Sequence, residues 1–204
     1  MIGSKPVVVV GGGVGGLCTA VRLRSAGHEV TLVERNDVVG GKLATFEREG
    51  FTFDVGPSLL TLPHVFDEVF ALAGTSLAAE LDLVRLDPQF TYSWRDGSTL
   101  VVPDDPAATE AAFDEFAPGA GAQWREFDER GREIWDVSER TFFAGPMESP
   151  IALAKRMESP QDLLAIDALR TLRTAARRTF DDPRLRQWAQ RYATYSGSSP
   201  AQAP

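Results

Sequence analysis

The residues best suited to chemistry in this sequence are three glycines close to its start. Gly11, Gly13 and Gly16 have the spacing G-x-G-x-x-G and directly follow the apolar run Val7–Val10. The first glycine permits a tight turn, the second lets the backbone approach a pyrophosphate, and the third lets a helix pack closely on a strand. The phosphates of a dinucleotide would bind at the helix N-terminus, where N–H groups and the positive end of the helix dipole favour anions.

An acidic residue follows the glycines at a distance typical of dinucleotide sites. Glu34 lies 18 residues after Gly16 and ends the predicted second strand. A carboxylate in this place accepts hydrogen bonds from ribose hydroxyls, and it would repel the 2′-phosphate of NADP. NAD and FAD both fit such a unit. The alternative is a glycine turn without a ligand, followed by an acidic surface residue.

A second glycine pair distinguishes between the two cofactors. Gly40 and Gly41 allow close backbone approach to a cofactor, and Lys42 places a cation near a phosphate or a flavin ring. The stretch resembles the motif R/K-x-G-G-R/K-x-x-S/T of FAD-dependent oxidoreductases. Thr45 matches this pattern, whereas Val38 occupies its leading basic position. The resemblance implies FAD, and a plain turn is the alternative.

The next stretch, GFTFDVGPSLLTLP over residues 50–63, narrows the resemblance. It is similar to the D-x-G-P-[ST] stretch of the phytoene desaturase family of bacterial carotenoid enzymes. The similarity extends over nearly the whole chain, most clearly at residues 7–63 and 181–204. It implies that Gly56, Pro57 and Ser58 adjoin the flavin. The alternative for Gly56 is a purely structural role at a strand end and turn.

The resemblance also implies a reaction. It is FAD-dependent desaturation of an acyclic carotenoid, such as phytoene or a hydroxylated or methoxylated neurosporene derivative, with hydride passing to flavin N5. No catalytic base is identified, because no Ser-His-Asp set or paired carboxylates stand out. Two rival hypotheses are another flavin oxidoreductase with this glycine motif, such as an amine oxidase, and an inactive nucleotide-binding fragment. Since the family's chains are more than twice as long, we expect an N-terminal portion that is inactive alone.

These residues must be positioned by a βαβ unit. The β-branched run Val7–Val10 predicts a strand buried on both faces of a parallel sheet. A helix is predicted over Val14–Ala26 and a second strand over Glu29–Glu34. The predicted cofactor-binding residues are Gly11, Gly13, Val14, Gly15, Gly16, Glu34, Arg35, Gly40, Gly41, Lys42, Gly56, Pro57 and Ser58.

The fold class is therefore α/β: a Rossmann-like FAD-binding unit over residues 1–75, then the N-terminal part of a substrate-binding region over residues 76–204. We expect this fold to be incomplete in the present chain. The second region should hold a small antiparallel sheet at about 81–103 and helices at about 104–195. Its predicted elements are strands Leu81–Leu86, Phe90–Trp94 and Thr99–Val102 and helices Asp104–Phe116, Ala122–Phe142, Pro160–Phe180 and Pro183–Tyr195, preceded by a helix His64–Ala73 and a strand Phe51–Asp54.

Composition limits the partners. The formal net charge of −8 argues against nucleic acid. The single Cys18 and the widely separated His28 and His64 provide no metal-ligand spacing, so no metal is expected. No apolar run is long enough to span a membrane. We expect a cytoplasmic protein with a hydrophobic carotenoid substrate, whose basic region 151–191 is either a solvated helix face or a peripheral contact with the inner face of the cell membrane.

Overall fold

The computed structural model describes residues 5–57, 59–143, 145–146 and 149–203. It divides into two compact units: unit 1 ends at Val84 and unit 2 begins at Arg85. The sequence places this boundary earlier, near residue 75. The assignment of a cofactor region and a substrate region therefore stays a proposal at these bounds.

Unit 1 opens with the predicted βαβ unit, but its first strand is not buried on both faces as predicted, since Val8 and Val10 are 61% and 83% exposed. Strand β1 (Val7–Val10) leads into helix α1 (Val14–Ser25), which returns the chain to strand β2 (Val30–Val33). The two strands are parallel, with Val7 opposite Val30 and Val10 opposite Val33. This crossover places the β1–α1 turn at the carboxyl ends of both strands, where nucleotide sites of α/β folds lie.

A hairpin follows in unit 1. Strand β3 (Thr45–Arg48) pairs antiparallel with β4 (Phe51–Asp54). The sequence predicts only the second of these two strands. The turn residues Glu49 and Gly50 both have positive φ, 54° and 81°. Two such residues form the type I′ turn that suits a two-residue hairpin. Helices α2 (Pro63–Leu72) and α3 (Leu77–Glu80) complete the unit.

Unit 2 begins with the predicted second hairpin. Strands β5 (Phe90–Ser93) and β6 (Thr99–Val102) are antiparallel. Their connection turns at Asp96, whose carboxylate accepts hydrogen bonds from the N–H of Ser98 at 2.9 Å and from its hydroxyl at 2.6 Å. These bonds explain why the Asp-Gly dipeptide forms the turn here.

Helices pack against this hairpin and form the main core. Phe113, Phe180 and Leu185 are fully buried, and the ring of Phe113 meets that of Trp188 edge-on at 4.9 Å. Packed aromatic rings are therefore a main part of the core of unit 2. The helices are α4 (Pro106–Phe116), α5 (Ala120–Ser138) with a π-helical turn (Glu139–Phe143), α6 (Pro150–Arg156), α7 (Pro160–Ala165), α8 (Leu172–Thr179) and α9 (Pro183–Gln190), which ends in a 3₁₀ turn (Arg191–Ser196).

Two predicted elements are wrong. Residues Leu81–Leu86 form no strand, because no described strand pairs with them. The single helix predicted over Pro160–Phe180 is two helices, α7 and α8. Asp167 between them has φ +51°, a left-handed conformation that ends a right-handed helix.

The fold class is confirmed: a parallel βαβ unit, small antiparallel sheets and a helical region. No helix among the described residues is long and apolar enough to cross a membrane. The described residues also contain no cluster of His, Cys, Asp and Glu side chains that could hold a metal ion.

Candidate flavin site

The first glycine turn is built around the contact between α1 and β1. A Cβ atom added to Gly16 would lie 1.9 Å from the carbonyl oxygen of Gly11. Only glycine permits this approach, as the motif predicts. Helix α1 starts at Val14, and no side chain caps the N-terminus at Gly13. The helix therefore presents its first N–H groups without a capping side chain, which suits an anionic ligand.

The second glycine pair is held directly against the first turn. The N–H of Gly40 donates to the carbonyl oxygen of Gly12 at 2.8 Å, and Gly13 and Gly40 form an isolated parallel bridge. A Cβ on Gly41 would lie 3.0 Å from the Cα of Gly13. The two motifs thus form one continuous backbone surface.

Glu34 has a more structural position than the sequence suggests. Its carboxylate accepts a hydrogen bond from the N–H of Gly12 at 2.6 Å, and from the N–H and the side-chain amide of Asn36 at 2.9 and 2.7 Å. These bonds, first that of the Asn36 backbone and then that of Gly12, lower the pKa of Glu34. The carboxylate is therefore ionised at neutral pH, and since three of its about four acceptor sites are occupied, it can accept one further hydrogen bond, such as that of a ribose hydroxyl.

Gly56 fixes the chain that follows the hairpin. Its Cα comes so close to the second glycine loop that an added Cβ would lie 1.7 Å from the carbonyl oxygen of Lys42. The neighbouring N–H of Val55 donates to the carbonyl of Ala44 at 3.1 Å. Gly56 therefore has a structural role, because it allows β4 to close on the loop. Its contact with the flavin stays a prediction.

A cavity of about 600 Å³ lies in front of these backbone surfaces. Six predicted residues line it: Gly13, Val14, Gly40, Gly41, Lys42 and Pro57. The other described residues of the prediction do not line it: Gly11, Gly15, Gly16, Glu34, Arg35 and Gly56. Ser58 lies outside the described residues. The lining also includes Leu43, Leu59, Leu60, Thr61 and Phe66, which sequence reasoning did not select.

The missed lining residues are mostly apolar and follow the predicted ones closely in sequence. Leu59, Leu60 and Thr61 continue the chain just after Pro57. Apolar residues in such a position are ordinary core candidates from the sequence alone. Their proximity to the glycine pair was the one available signal.

This geometry fits a dinucleotide cofactor. Gly13 leaves space at the start of α1, since the nearest heavy atom to an added Cβ is 3.9 Å away. Lys42 contributes a cation to the same cavity, and the apolar residues suit a planar ring system. The parallel βαβ unit and its glycine turn thus define a Rossmann-like dinucleotide-binding protein.

The chain belongs to the family of flavin containing amine oxidoreductases, which it matches over residues 14–199. Membership confirms the predicted flavin cofactor, FAD, and the predicted relation to flavin-dependent oxidoreductases.

Several curated relatives are similar over almost all of the chain. It is 38% identical to a phytoene dehydrogenase of Streptomyces griseus over 198 residues, which cover 97% of this chain and 39% of the relative. It is 35% identical to a 4,4′-diapolycopene oxygenase of a Methylomonas species, covering 98% and 40%. A hydroxyneurosporene desaturase of Rhodobacter capsulatus is 36% identical, covering 97% and 40%. The chain therefore spans about two fifths of the length of these relatives.

Solved structures of amine oxidases share the fold. Cyclohexylamine oxidase from Brevibacterium oxydans superposes with a TM-score of 0.56 at 22% identity, over 97% of this chain and 39% of that chain. A putrescine oxidase variant gives a TM-score of 0.52 at 21% identity, over 94% and 37%. At this identity the likeness describes the fold alone.

Proposed function

We propose that the protein takes part in FAD-dependent desaturation of an acyclic carotenoid, such as phytoene or a hydroxylated or methoxylated neurosporene derivative. The observation that carries the proposal is the pair of glycine turns joined through Gly12 and Gly40 around one cavity. The relatives named phytoene dehydrogenase and hydroxyneurosporene desaturase support this substrate class.

Each proposed site residue has a defined task. The N–H groups at Val14 and Gly15 bind the pyrophosphate, and the carboxylate of Glu34 accepts a hydrogen bond from the ribose. Lys42 contributes positive charge near the phosphates or the ring, and Pro57 shapes the cavity beside it. When bound, the flavin supplies an acceptor for the hydride that leaves a saturated carbon of the substrate.

Amine oxidation is the second candidate, because the solved structures with this fold are amine oxidases. Their identity of 21–22% is much lower than the 35–38% shared with carotenoid enzymes. The cavity lining also favours a substrate without charge, since leucines and Phe66 supply half of its side chains and Lys42 would repel an ammonium group.

A chimera tests both the cofactor and the reaction. The present chain replaces the matching N-terminal segment of the Streptomyces griseus phytoene dehydrogenase, and Gly13→Ala is made in this chimera. The chimera should bind FAD and convert phytoene into longer-wavelength polyenes. Gly13→Ala should weaken FAD binding by about tenfold or more, because the methyl group occupies the space of the pyrophosphate. Flavin fluorescence and pigment absorption spectra provide the two measurements.

Gly131→Ala is the matched control, because a Cβ on this α5 residue meets no atom within 4 Å, and one on Gly13 meets none closer than 3.9 Å. It should leave FAD binding unchanged. A chimera that holds FAD but leaves the phytoene spectrum unchanged contradicts the desaturase proposal, and turnover of an amine in its place supports the second candidate. Equal FAD affinity of Gly13→Ala and the parent chimera contradicts the proposed pyrophosphate site.

We further propose a peripheral membrane contact through residues 151–191, on the inner face of the cell membrane. Four large apolar side chains are exposed in this region: Ile151, Leu163, Leu164 and Leu169. Exposed cations accompany them, at Lys155 on α6 and at Arg173, Arg177 and Arg178 on α8. Apolar side chains next to cations are typical of proteins that lie on an anionic bilayer.

Co-sedimentation with liposomes tests this contact. The chain should sediment with vesicles that contain phosphatidylserine. The double variant Leu163→Ser, Leu164→Ser should reduce the bound fraction several-fold, because two apolar side chains are then no longer buried in the bilayer. Val84→Ser, another exposed apolar position, is the control and should leave binding unchanged. The absence of sedimentation even with anionic vesicles would exclude the contact.

A further inference from the structure

Unit 2 contains a cavity that the flavin site does not use. It has a volume of about 500 Å³ and lies between strand β5 and helix α9 with the turn that follows it. Aromatic, amide and proline side chains form most of its lining, among them Tyr92, Trp94, Pro183, Gln187 and Trp188. A cavity of this size accommodates a small organic molecule.

The charge at this cavity is unusual for an acidic chain. Arg191 is the only charged residue among the described residues that line it, although the whole chain has 29 Asp and Glu against 21 Lys and Arg. Arg184 in α9 is paired with Asp182 at 2.6 Å and with Asp96 at 3.4 Å, whereas Arg191 has no such carboxylate in the described part of the chain. The cavity therefore carries a positive charge without an internal counterion.

The guanidinium of Arg191 is held by aromatic rings instead. Its Cζ atom lies 4.7 Å from the ring centre of Phe90, 5.2 Å from that of Tyr92 and 5.4 Å from that of Tyr195. Nη2 also donates a hydrogen bond to the hydroxyl of Tyr195 at 3.1 Å. Burial raises the pKa of Tyr92, so this phenol is neutral at pH 7. Cation–π contacts thus fix the position of the guanidinium but leave its charge unneutralised.

Two buried hydrogen-bond donors beside the cavity lack acceptors. Trp188 is 4% exposed, and neither its Nε1 nor Nε of Arg191 has a hydrogen-bond partner among the described residues. Both groups can only donate, so neither satisfies the other. Oε1 of Gln187, which lines the cavity, accepts a hydrogen bond from Nε1 of Trp94 at 3.0 Å. Because an unpaired buried donor is destabilising, an acceptor supplied by a ligand would stabilise this arrangement.

We propose that this cavity binds a small planar carboxylate, such as an aromatic acid, with its carboxylate on Arg191 and its ring against Trp94. Nη1 of Arg191, which makes no hydrogen bond within the described residues, would donate to the carboxylate. A single guanidinium suits one negative charge better than the two of a phosphate monoester. Trp94 and Pro183 present flat apolar surfaces to the ring. The proposal goes beyond the proposed function and is independent of it, since it concerns binding alone and involves neither FAD nor a carotenoid.

Gln187→Glu tests the proposal, because a glutamate four residues before Arg191 would lie on the same helical face and pair with the guanidinium. Glutamate has nearly the same shape as glutamine and keeps an acceptor for Nε1 of Trp94. The 204-residue chain is titrated with benzoate in a calorimeter. Saturable binding is expected, about tenfold weaker in Gln187→Glu. Benzamide, which has the same ring without the charge, and phenyl phosphate should both bind less tightly than benzoate.

Gln161→Glu is the matched control, since Gln161 is exposed on α7 and does not line the cavity. It carries the same change in charge and should bind benzoate like the parent chain. Indole N–H signals in ¹H–¹⁵N NMR spectra locate the ligand. The signals of Trp94 and Trp188 should shift on addition of benzoate, and that of Trp135, which lies outside the cavity, should not.

Circular dichroism establishes that Gln187→Glu is folded, and if it is not, Gln190→Glu takes its place, because Gln190 also lines the cavity. Unchanged benzoate affinity in the folded glutamate variant, or an equal loss of affinity in Gln161→Glu, overturns the proposal. So does the absence of saturable benzoate binding by the parent chain, or binding of benzamide or phenyl phosphate as tight as that of benzoate. The proposed function is tested separately, by FAD binding and phytoene conversion in the chimera.

Discussion

Gly16→Ala is expected to destabilise unit 1 by about 3 kcal/mol or more and to abolish FAD binding. The added Cβ would lie 1.9 Å from the carbonyl oxygen of Gly11 and 3.1 Å from its carbonyl carbon. Both atoms belong to the backbone, so no side-chain rotation relieves the collision. Either α1 moves away from β1 or the first glycine turn opens, and each change displaces the N–H groups proposed to bind the pyrophosphate.

Amide hydrogen exchange of Val8, Val9 and Leu32 measures this effect within unit 1. Gly15→Ala is the matched control in the same helix, since its Cβ would meet no atom within 4 Å. Because alanine is favoured over glycine in a helix by about 1 kcal/mol, this variant should be as stable as the parent chain or more so. If Gly16→Ala shows the exchange rates of Gly15→Ala, the close packing of α1 on β1 is wrong.

Gly56→Ala is expected to displace the second glycine loop, with a loss of stability of about 2–4 kcal/mol. Its Cβ would lie 1.7 Å from the carbonyl oxygen of Lys42 and 2.8 Å from the carbonyl carbon. The hydrogen bond from Val55 to Ala44 should break first, because it joins the same two segments. FAD affinity should fall by about a hundredfold, since Lys42 lines the proposed site.

Val55→Ala is the control for this variant. Val55 is the preceding residue and its side chain is exposed, so its truncation should change stability by less than about 0.5 kcal/mol. Exchange of the amides of Gly40 and Val55 reports the loop directly. A Gly56→Ala protein in which both amides remain protected would show that the loop tolerates a methyl group.

Short sequence patterns predicted the helices and strands that are formed by short segments of the chain. The β-branched run, the glycine spacing and the acidic residue predicted β1, α1 and β2 to within a few residues. Thr99–Val102 forms a strand at the predicted bounds, because the Asp96–Gly97 turn sets the register of its hairpin. In the hairpin the neighbours in sequence are also the neighbours in space, and in the βαβ unit a single short helix connects the two paired strands.

The sequence did not predict elements whose extent depends on contacts with residues far away in the chain. The helix predicted over Pro160–Phe180 is interrupted where Arg130, more than thirty residues earlier, binds the carbonyls of Leu164 and Ala165. Apolar spacing does not report such a contact. The apolar run Leu81–Leu86 similarly needs a partner strand that its sequence does not specify.

The candidate site was predictable in its glycines and less so in its geometry. Spacing identified Gly13 and Gly40, but not that a hydrogen-bonded bridge joins their segments. The dinucleotide motif assigns Glu34 to ligand binding, whereas its carboxylate also accepts a hydrogen bond from the N–H of Gly12. A sequence shows which side chains are present, but whether a backbone N–H already has a partner depends on the folded turn.

The bond between Gly40 and Gly12 makes the length of the connecting segment a constraint. Residues 35–39 leave β2 and must bring Gly40 back to the first turn, where its N–H reaches the carbonyl of Gly12 at 2.8 Å. Substitutions in this spacer preserve its span, whereas an insertion or deletion of one residue moves Gly40 by about 3.5 Å along the chain. The length of this spacer therefore sets the distance between the two motifs. In protein engineering its residue types can be varied, whereas its length cannot.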